Sequence, residues 1–255
     1  MKARSFRREK SGQVLVITSL VVVMLLLSTV VYVTETQKNA PVFVADQNAG
    51  LAAIRQAAVH TLVSALANVS NGGDPGVLAE DLTRFKAAVE GYSLDAISKL
   101  DFTSSNSVPY VDGSWISWGT NGESFSGMSA NFALNCSGNS ASYYSEFSVT
   151  VTSSTIANGT YALLNESTSQ VTVTCTLLDE GKPAATGSLL FYYQQETPAT
   201  WTHAMVPTTF DYGNGTTQTT FYAQNATQTN PLPISVHCVD ARGISVWANT
   251  TCTQR

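Results

Sequence analysis

Residues 171–177, VTVTCTL, alternate apolar and small polar side chains. Because successive side chains of a β-strand point to opposite faces, this alternation predicts a strand with one buried and one solvent-facing side. The pattern recurs after Asp101, at 132–134, 147–151, 189–193, 219–222, 234–239 and 244–248. Turn-forming residues separate these stretches at 180–183, 214–215 and 240–243. With short strands near Tyr161 and Phe210, residues 160–255 hold roughly seven strands, which is typical of an antiparallel β-sandwich.

Before this β-rich part, apolar residues recur at the spacing of a helix. Between residues 43 and 69 they lie three and four positions apart and define one apolar face: Leu51, Ile54, Ala58, Leu62, Leu66 and Val69. The segment 71–76, NGGDPG, then breaks the pattern, because glycine and asparagine tolerate positive φ and proline cannot continue a helix. A second stripe follows at Leu78, Leu82, Phe85, Val89 and Tyr92. We therefore expect a helical hairpin that forms a stalk.

Residues 14–33, VLVITSLVVVMLLLSTVVYV, contain no charged side chain. As a helix they would span about 30 Å, the thickness of the hydrocarbon core of a bilayer. The preceding MKARSFRREK carries five bases and one acid, so the positive-inside rule places the N-terminus in the cytoplasm and the C-terminal part outside. A cleaved signal peptide has a shorter apolar core followed by a small-x-small site, which residues 34–37, TETQ, do not provide. The sequence predicts a retained single-pass anchor in membrane lipid.

These patterns divide the chain into five segments. They are a basic cytoplasmic stub at 1–13, a transmembrane helix at 14–33, a helical stalk at 34–100, a β-rich segment at 101–159 and a β-sandwich at 160–255. The predicted fold class is α+β, with helices and sheet in separate parts of the chain. Residues 101–159 are either a separate small sheet or additional strands of the same sandwich.

The charge of the outer portion excludes one class of function. Removing the five bases and one acid of residues 1–33 from totals of 13 and 18 leaves 8 bases and 17 acids, a net charge of −9. The only bases after residue 100 are Lys182, Arg242 and Arg255. So few cations cannot neutralise phosphate groups, and we expect no nucleic-acid partner.

Modification of an exported surface is suggested by seven Asn-x-Ser/Thr sequons. They begin at Asn68, Asn135, Asn158, Asn165, Asn214, Asn225 and Asn249. Such sequons are acceptors for N-linked glycans in exported proteins. The alternative is that they follow from a composition rich in asparagine, serine and threonine.

All four cysteines follow the predicted membrane segment: Cys136, Cys175, Cys238 and Cys252. None has the close Cys-x-x-Cys spacing of a metal site. An even number in an oxidising compartment favours two disulfides, for which three connectivities exist, while free thiols remain the alternative.

No sequence motif for catalysis or cofactor binding emerges, so we expect no enzyme activity and no cofactor. His60, His203 and His237 are not spaced as metal ligands, and His237 alternates outward on its strand. The acids Asp179, Glu180 and Asp240 lie at turns, where a calcium site is a minor alternative to a purely structural role. Aromatic residues provide a candidate sugar-binding surface, or simply core packing and strand edges: Tyr110, Trp115, Trp118, Trp201 and Tyr212.

The residues just before the membrane segment, KSGQV at 10–14, carry a resemblance to a known family. They resemble the class III signals of type IV pilin-like proteins, archaellins and tight-adherence pilus proteins. The resemblance implies cleavage after Gly12, a mature N-terminus at Gln13, and an assembling surface subunit of a prokaryote, most readily an archaeon. Pilin helices carry a Glu near the fifth mature position, whereas this run has no acid before Glu35. An uncleaved signal anchor is the alternative.

The β-rich part carries a second resemblance. The runs VTVTCTLLDEGKPA at 171–184 and ISVHCVDARGISVWA at 234–248 resemble Ig-like modules of prokaryotic surface proteins. The resemblance implies that Cys175 and Cys238 face each other on the second and sixth strands, which leaves Cys136 and Cys252 as the second pair. No tryptophan lies in the strand at 189–193, where Ig domains place one.

Two kinds of function are compatible with these features. The first is a membrane-anchored extracellular structural or adhesive protein, which self-associates or contacts other envelope proteins. The second is a ligand- or glycan-binding ectodomain on a simple signal anchor, with an aromatic patch around Trp115, Trp118 or Trp201.

Overall fold

The computed structural model describes residues 47–91, 96–138, 142–195, 200–205, 207–224 and 231–255. The predicted processing residues Gly12 and Gln13, and the predicted membrane helix at 14–33, lie outside these residues. The chain divides into two compact units, residues 1–52 and residues 53–255. The second unit contains every strand described below.

Two helices occur where the apolar stripes predict them. α1 is Gln47–Ser70 and α2 is Val77–Gly91. Both bury an apolar stripe that includes these residues: Ala58, Leu62, Ala65 and Leu66 of α1, and Leu78, Leu82 and Phe85 of α2. The contacts of these faces include sheet residues, since the ring of Phe85 meets Phe132 edge-on at 6.0 Å and the guanidinium of Arg55 lies 5.1 Å from the ring of Phe147. The helices therefore contact the sheet at these positions.

One helix among the described residues, the Gly50–Ser70 part of α1, is long and apolar enough to cross a membrane. Length and composition alone support this, and 22% of its most apolar window is buried. The C-terminal end of α1 is tied to the β-domain, because the Oγ of Ser70 accepts a hydrogen bond from the backbone N–H of Ser245 at 3.0 Å. The next residue, Asn71, donates from its side chain to the carbonyl of Gly243 at 2.9 Å.

Twelve strands follow the helices in the part of the chain that the structure describes. They are β1 Ala96–Ser104, β2 Ser114–Trp118, β3 Glu123–Gly138, β4 Ser142–Asn165, β5 Thr168–Asp179, β6 Lys182–Pro183, β7 Thr186–Gln194, β8 Trp201–His203, β9 Thr208–Asp211, β10 Thr216–Gln224, β11 Leu232–Asp240 and β12 Ser245–Gln254. All pairings are antiparallel except that of β12 with β4. The predicted α+β class is confirmed.

The strands form two sheets, which are connected where β12 pairs with β4. In the first sheet the order is β3–β4–β5–β10–β9, with β1 and β2 on β3 and β6 on β5. In the second sheet the order is β8–β7–β11–β12. The sheets join through a short parallel pairing in which Thr253 and Gln254 of β12 lie opposite Thr160 and Tyr161 of β4.

The inner faces of the two sheets enclose the main core. Val171, Val173, Cys175 and Leu177 of β5 are buried, as the alternation of VTVTCTL predicts. Across the core, Phe191 of the second sheet meets Phe221 of the first at 5.8 Å between ring centroids. Each such side chain contributes about 1.5–3 kcal/mol when it is fully buried. The two sheets thus form a sandwich.

The predicted segment boundary at residue 160 lies inside a strand, so residues 101–159 are not a separate sheet. β4 runs without interruption from Ser142 to Asn165 and pairs first with β3 and then with β5. Within this strand, Gly159 has a packing role. A Cβ on Gly159 would lie 2.3 Å from the Sγ of Cys252, so only glycine lets β4 approach β12 this closely.

Candidate functional site: an uncharged aromatic face

The outer side of the second sheet carries a continuous group of large side chains. We define the aromatic face as seven residues: Trp118, Leu190, Tyr192, Trp201, His203, His237 and Trp247. Those on β7, β11 and β12 point outward because the residues that alternate with them, such as Phe191, Val236 and Val246, are buried in the core. Among the outward residues of β7, β8, β11 and β12 that the structure describes, none is Asp, Glu, Lys or Arg.

Five rings of this face form a row across the strands. Trp118 stacks on Trp247 with centroids 4.3 Å apart, and Trp247 stacks on His237 at 4.2 Å with an interplanar angle of 2°. His237 then meets Tyr192 at 4.7 Å, and Tyr192 meets His203 at 5.2 Å. Strand register produces the central contact, since His237 and Trp247 are direct partners on β11 and β12. The row therefore depends on pairing between residues that are distant in sequence.

Trp118 reaches this row because the turn after β2 extends the second sheet. The turn at 119–122 pairs with β12: Asn249 donates its backbone N–H to Gly119 at 3.0 Å, and its carbonyl accepts from Gly122 at 2.8 Å. Gly122 has a φ of +82°, and a Cβ there would lie 2.3 Å from the carbonyl oxygen of Ala157. A side chain at position 122 would displace this turn and the Trp118 ring with it.

His237 is a packing and hydrogen-bonding group in this row. Burial lowers its pKa, so the neutral ring is favoured. Its Nε2 lies 3.1 Å from the Oγ of Ser235. No carboxylate occurs on the described part of this face to orient the ring as a general base.

This face can bind a partner through aromatic and apolar contacts. Trp201 and Leu190 are 47% and 43% exposed, and the rings of Trp118 and Trp247 are partly open at 37% and 36%. Aromatic rings bury a large area with little loss of side-chain entropy, and large exposed apolar patches mark interaction sites. The polar groups on the same strands are amides and hydroxyls, of Gln194, Ser235 and Asn249.

The outer side of the first sheet has a different composition. Direct register partners place five threonines in one row, which we call the threonine face: Thr208, Thr220, Thr172, Thr160 and Thr253. These residues come from β9, β10, β5, β4 and β12 in that order. The two faces meet where β12 joins β4.

The acids predicted at turns surround Arg242. Its guanidinium occupies the position that a bound cation would need. Its guanidinium lies 2.8 Å from Asp179, 2.8 Å from Glu180 and 2.9 Å from Asp240. Burial, followed by the nearby charge of Asp240, raises the pKa of Asp179 to about 6. Within the described residues, no group of three or more His, Cys, Asp or Glu side chains is placed to hold a metal ion. The cluster instead ties together turns of the two sheets.

The cysteines separate into one close pair and two distant residues. The sulfurs of Cys175 and Cys238 are 3.3 Å apart in the core, as thiols. Hydrogen bonding between them lowers the pKa of Cys175 and raises that of Cys238. The structure places the other two cysteines, Cys136 and Cys252, far apart within one chain. Cys136 lies opposite Tyr143 at one end of β4, while Cys252 adjoins the part near Thr160, so roughly 50 Å of strand separates them.

Six of the seven sequons are within the described residues. The asparagines of five are exposed, Asn249 is half-buried, and Asn225 lies outside these residues. In two of them the asparagine Oδ1 already accepts a local bond: from the backbone of Ser167 at Asn165, and from the backbone of Thr216 at Asn214. In both turns the bond is made by Oδ1, and Nδ2, the atom that a glycan would be attached to, takes no part in it.

The structure brings together only part of the aromatic patch suggested by the sequence. Trp118 and Trp201 belong to the aromatic face. Trp115 instead packs on Phe125 at 3.9 Å, Tyr110 adjoins Trp115, and Tyr212 pairs with Phe210 near the edge of the first sheet. Trp247, Tyr192 and His203 were missed as members, although the alternation that makes Val246 inward already makes Trp247 outward.

The three histidines do not converge. His203 and His237 both contact Tyr192, whereas His60 lies on α1 beside the side chain of Gln56.

No protein-family model and no curated protein matches this chain.

Proposed function

We propose that this chain is a membrane-anchored extracellular protein with a structural or adhesive role, which contacts other copies of itself through the aromatic face. The stacked row from Trp118 to His203 is the observation that carries the proposal. The hydrophobic segment at 14–33 and its basic stub provide anchoring, with the ectodomain outside. The sequons and the paired thiols in the core suit that location.

The strand order supports an Ig-like module as the scaffold. An Ig sandwich places strands A, B, E and D in one sheet and C, F and G in the other. The order here is β4–β5–β10–β9 and β8–β7–β11–β12, which corresponds to A-B-E-D and C′-C-F-G. In this correspondence Cys175 lies on B and Cys238 on F. Modules of this type act by presenting rigid surfaces, so the fold itself assigns no catalytic role.

Charge favours self-association through this face over other parts of the surface. Copies that each carry a net charge of −9 outside the membrane repel one another wherever acids meet. Contact through a face without acids avoids that repulsion and removes apolar area from water. An aromatic, uncharged centre with charge kept outside it is also the composition of known protein interfaces.

The test compares two exposed aromatic residues near the edges of the two sheets. Trp201→Ala removes a 47% exposed ring from the aromatic face, and Phe210→Ala removes a 61% exposed ring from the edge of the first sheet. We expect full-length Trp201→Ala in lipid vesicles to self-associate at least about tenfold more weakly, while Phe210→Ala associates like the unsubstituted chain. Equal association by all three would refute the assignment of the aromatic face.

A glycan-binding ectodomain is the second candidate function. Rings flanked by the amide and hydroxyl groups of Gln194 and Ser235 could take a sugar by stacking and hydrogen bonding. Binding of the full-length chain to immobilised oligosaccharides, lost in Trp201→Ala and kept in Phe210→Ala, would favour this candidate when self-association is absent.

Pilin-type assembly is a further part of the proposal, and it depends on processing. Intact-mass and N-terminal analysis of the chain from its native membrane tests it. A mature N-terminus at Gln13 supports an assembling subunit. Retention of residues 1–12 supports a plain signal anchor.

A further inference from the structure

We propose that Asn249 carries an N-linked glycan whose first sugar packs against the ring of Trp247, so that the protein's own glycan covers the Trp118–Trp247 end of the aromatic face. This inference goes beyond the proposed function, because it states which part of the face remains open for contact. It rests on one strand, β12, and on the turn that pairs with it.

The acceptor and the ring lie on the same side of β12. Trp247 and Asn249 are two residues apart, so their side chains project from the same face about 6.6 Å from each other. Trp247 is 36% exposed, and because Trp118 and His237 stack on either side of it, the exposed part is the outer edge of the ring. A sugar linked to Asn249 therefore starts within reach of an indole.

Asn249 is held firmly while its amide stays available. Its backbone N–H and carbonyl are both bonded to the turn at 119–122, at 3.0 and 2.8 Å. In the part of the chain that the structure describes, its side-chain amide makes no hydrogen bond. Thr251, which completes the sequon, is exposed on the same side of the strand. The backbone thus fixes the side of the strand from which the Asn249 side chain projects, and its amide has no competing partner among the described residues.

The modification has a defined chemistry. A bond forms between the Nδ2 of Asn249 and C1 of the sugar of a lipid-phosphate-linked oligosaccharide. The bond from C1 to the phosphate oxygen breaks, the lipid phosphate leaves with the electron pair, and the amide proton passes to solvent. C–H groups of the sugar can then contact the exposed edge of the indole, and this contact removes apolar area from water.

The Asn158 sequon offers a matched comparison. It also lies in the interior of a strand, and Asn158 is exposed. Its outward neighbours on β4 are Ile156 and Thr160, and its direct partner on β5 is Thr174. None of these is aromatic, so a glycan there has no ring to cover.

The experiment uses the full-length chain from its native membrane and three variants: Asn249→Gln, Thr251→Ala and, as control, Asn158→Gln. Glycopeptide mass analysis measures occupancy, and acrylamide quenching of tryptophan fluorescence measures ring exposure. We expect Asn249 to be occupied. We expect Asn249→Gln and Thr251→Ala to raise quenching equally and to lower the melting temperature by about 2–4 °C. Asn158→Gln should change neither quantity.

Two results would overturn the inference. One is an unmodified Asn249 in the native protein. The other is an occupied Asn249 whose removal leaves quenching unchanged, because the glycan would then point away from the rings. In a Trp247→Leu background, Asn249→Gln should cause no further rise in quenching, and a further rise of the original size contradicts the stack. Glycopeptide occupancy does not depend on a partner, so failure of the proposed self-association would leave that result unaffected.

Discussion

The aromatic face and the threonine face are built on strands of the same alternating pattern, yet they present opposite surface chemistry. Both sheets place apolar residues inward, and the two inner faces contribute to one core. Outward, one sheet aligns indole, imidazole and phenol rings, whereas the other aligns threonines at positions 160, 172, 208 and 220, which Thr253 of β12 continues. The inward positions thus determine that the sheets pack, and the outward positions determine what each sheet can bind.

The difference also shows how one domain remains soluble with few charges. A β-branched hydroxyl side chain fits the pleated surface and keeps a polar group in water, so the threonine face needs no charge and no partner. Aromatic rings remove apolar area from water when they stack on one another, as Trp247 does between Trp118 and His237. Such a row still leaves apolar area exposed at its ends, at Trp201 for example. The second sheet therefore combines stacked rings with exposed apolar area on one face.

The largest expected effect concerns the link between the two inner faces. In an oxidising compartment we expect Cys175 and Cys238 to form a disulfide, whose reduction lowers the free energy of unfolding by about 2–4 kcal/mol. Alkylation before and after reduction, followed by mass analysis, detects the bond, and chemical denaturation measures its contribution. Cys136→Ser is the control, since Cys136 is far from this core. Alkylation of all four cysteines without reductant would contradict the prediction.

The next effect compares one outward residue from each sheet. Trp247→Ala should lower the free energy of unfolding by about 2 kcal/mol, because it removes two ring stacks and a half-buried indole. Thr172→Ala, in the middle of the threonine face, should cost about 0.5 kcal/mol, the scale of a cross-strand pair. Urea denaturation of both variants measures the difference. Equal costs would mean that the aromatic row contributes no more to stability than the threonine row.

Much of the fold follows from local patterns in the sequence. The alternation of residues 171–177 correctly separates inward Val171 and Val173 from outward Thr172 and Thr174. The stripes at spacings of three and four locate both helices, and the 71–76 break locates the turn between them. These predictions succeed because period and turn chemistry are properties of a few neighbouring residues.

The candidate site could not be predicted in the same way. Alternation makes Trp247 and His237 outward, but their contact requires the register set by the turn at 240–243. Trp118 joins Trp247 across more than a hundred residues of chain, through the backbone pairing of the 119–122 turn. The close approach of Gly159 to Cys252 likewise joins two strands that are distant in sequence. Long-range register and close approach leave no local signal.

A smaller effect tests the Arg242 cluster, which joins turns of the two sheets. The pKa of Asp179 is raised from 3.8 to about 6, so its carboxyl contributes most to stability when protonated, and this contribution is lost as pH rises from about 4 to 6. The free energy of unfolding of Asp179→Asn, relative to that of the unsubstituted protein, should therefore rise by about 1–2 kcal/mol across that window. Thermal unfolding at several pH values measures the gain. A difference independent of pH would show that Asp179 has an ordinary pKa.

The smallest effect concerns His237 on the aromatic face. Its contribution to stability changes with pH in the opposite direction to that of Asp179. Burial lowers the pKa of His237 below its usual 6.5, and no acid on the described part of this face offsets that burial. The unfolded chain therefore binds a proton more readily, so stability is present above about pH 6.5 and is lost as pH falls below it. His237→Gln removes this titration. The stability of the unsubstituted protein relative to this variant should decline on acidification by less than about 1 kcal/mol, since the half-exposed ring is partly screened by solvent. Paired denaturation curves at pH 7.5 and pH 5 measure the change, and an increase on acidification would indicate that the folded state binds the proton more tightly, as a ring beside an acid would.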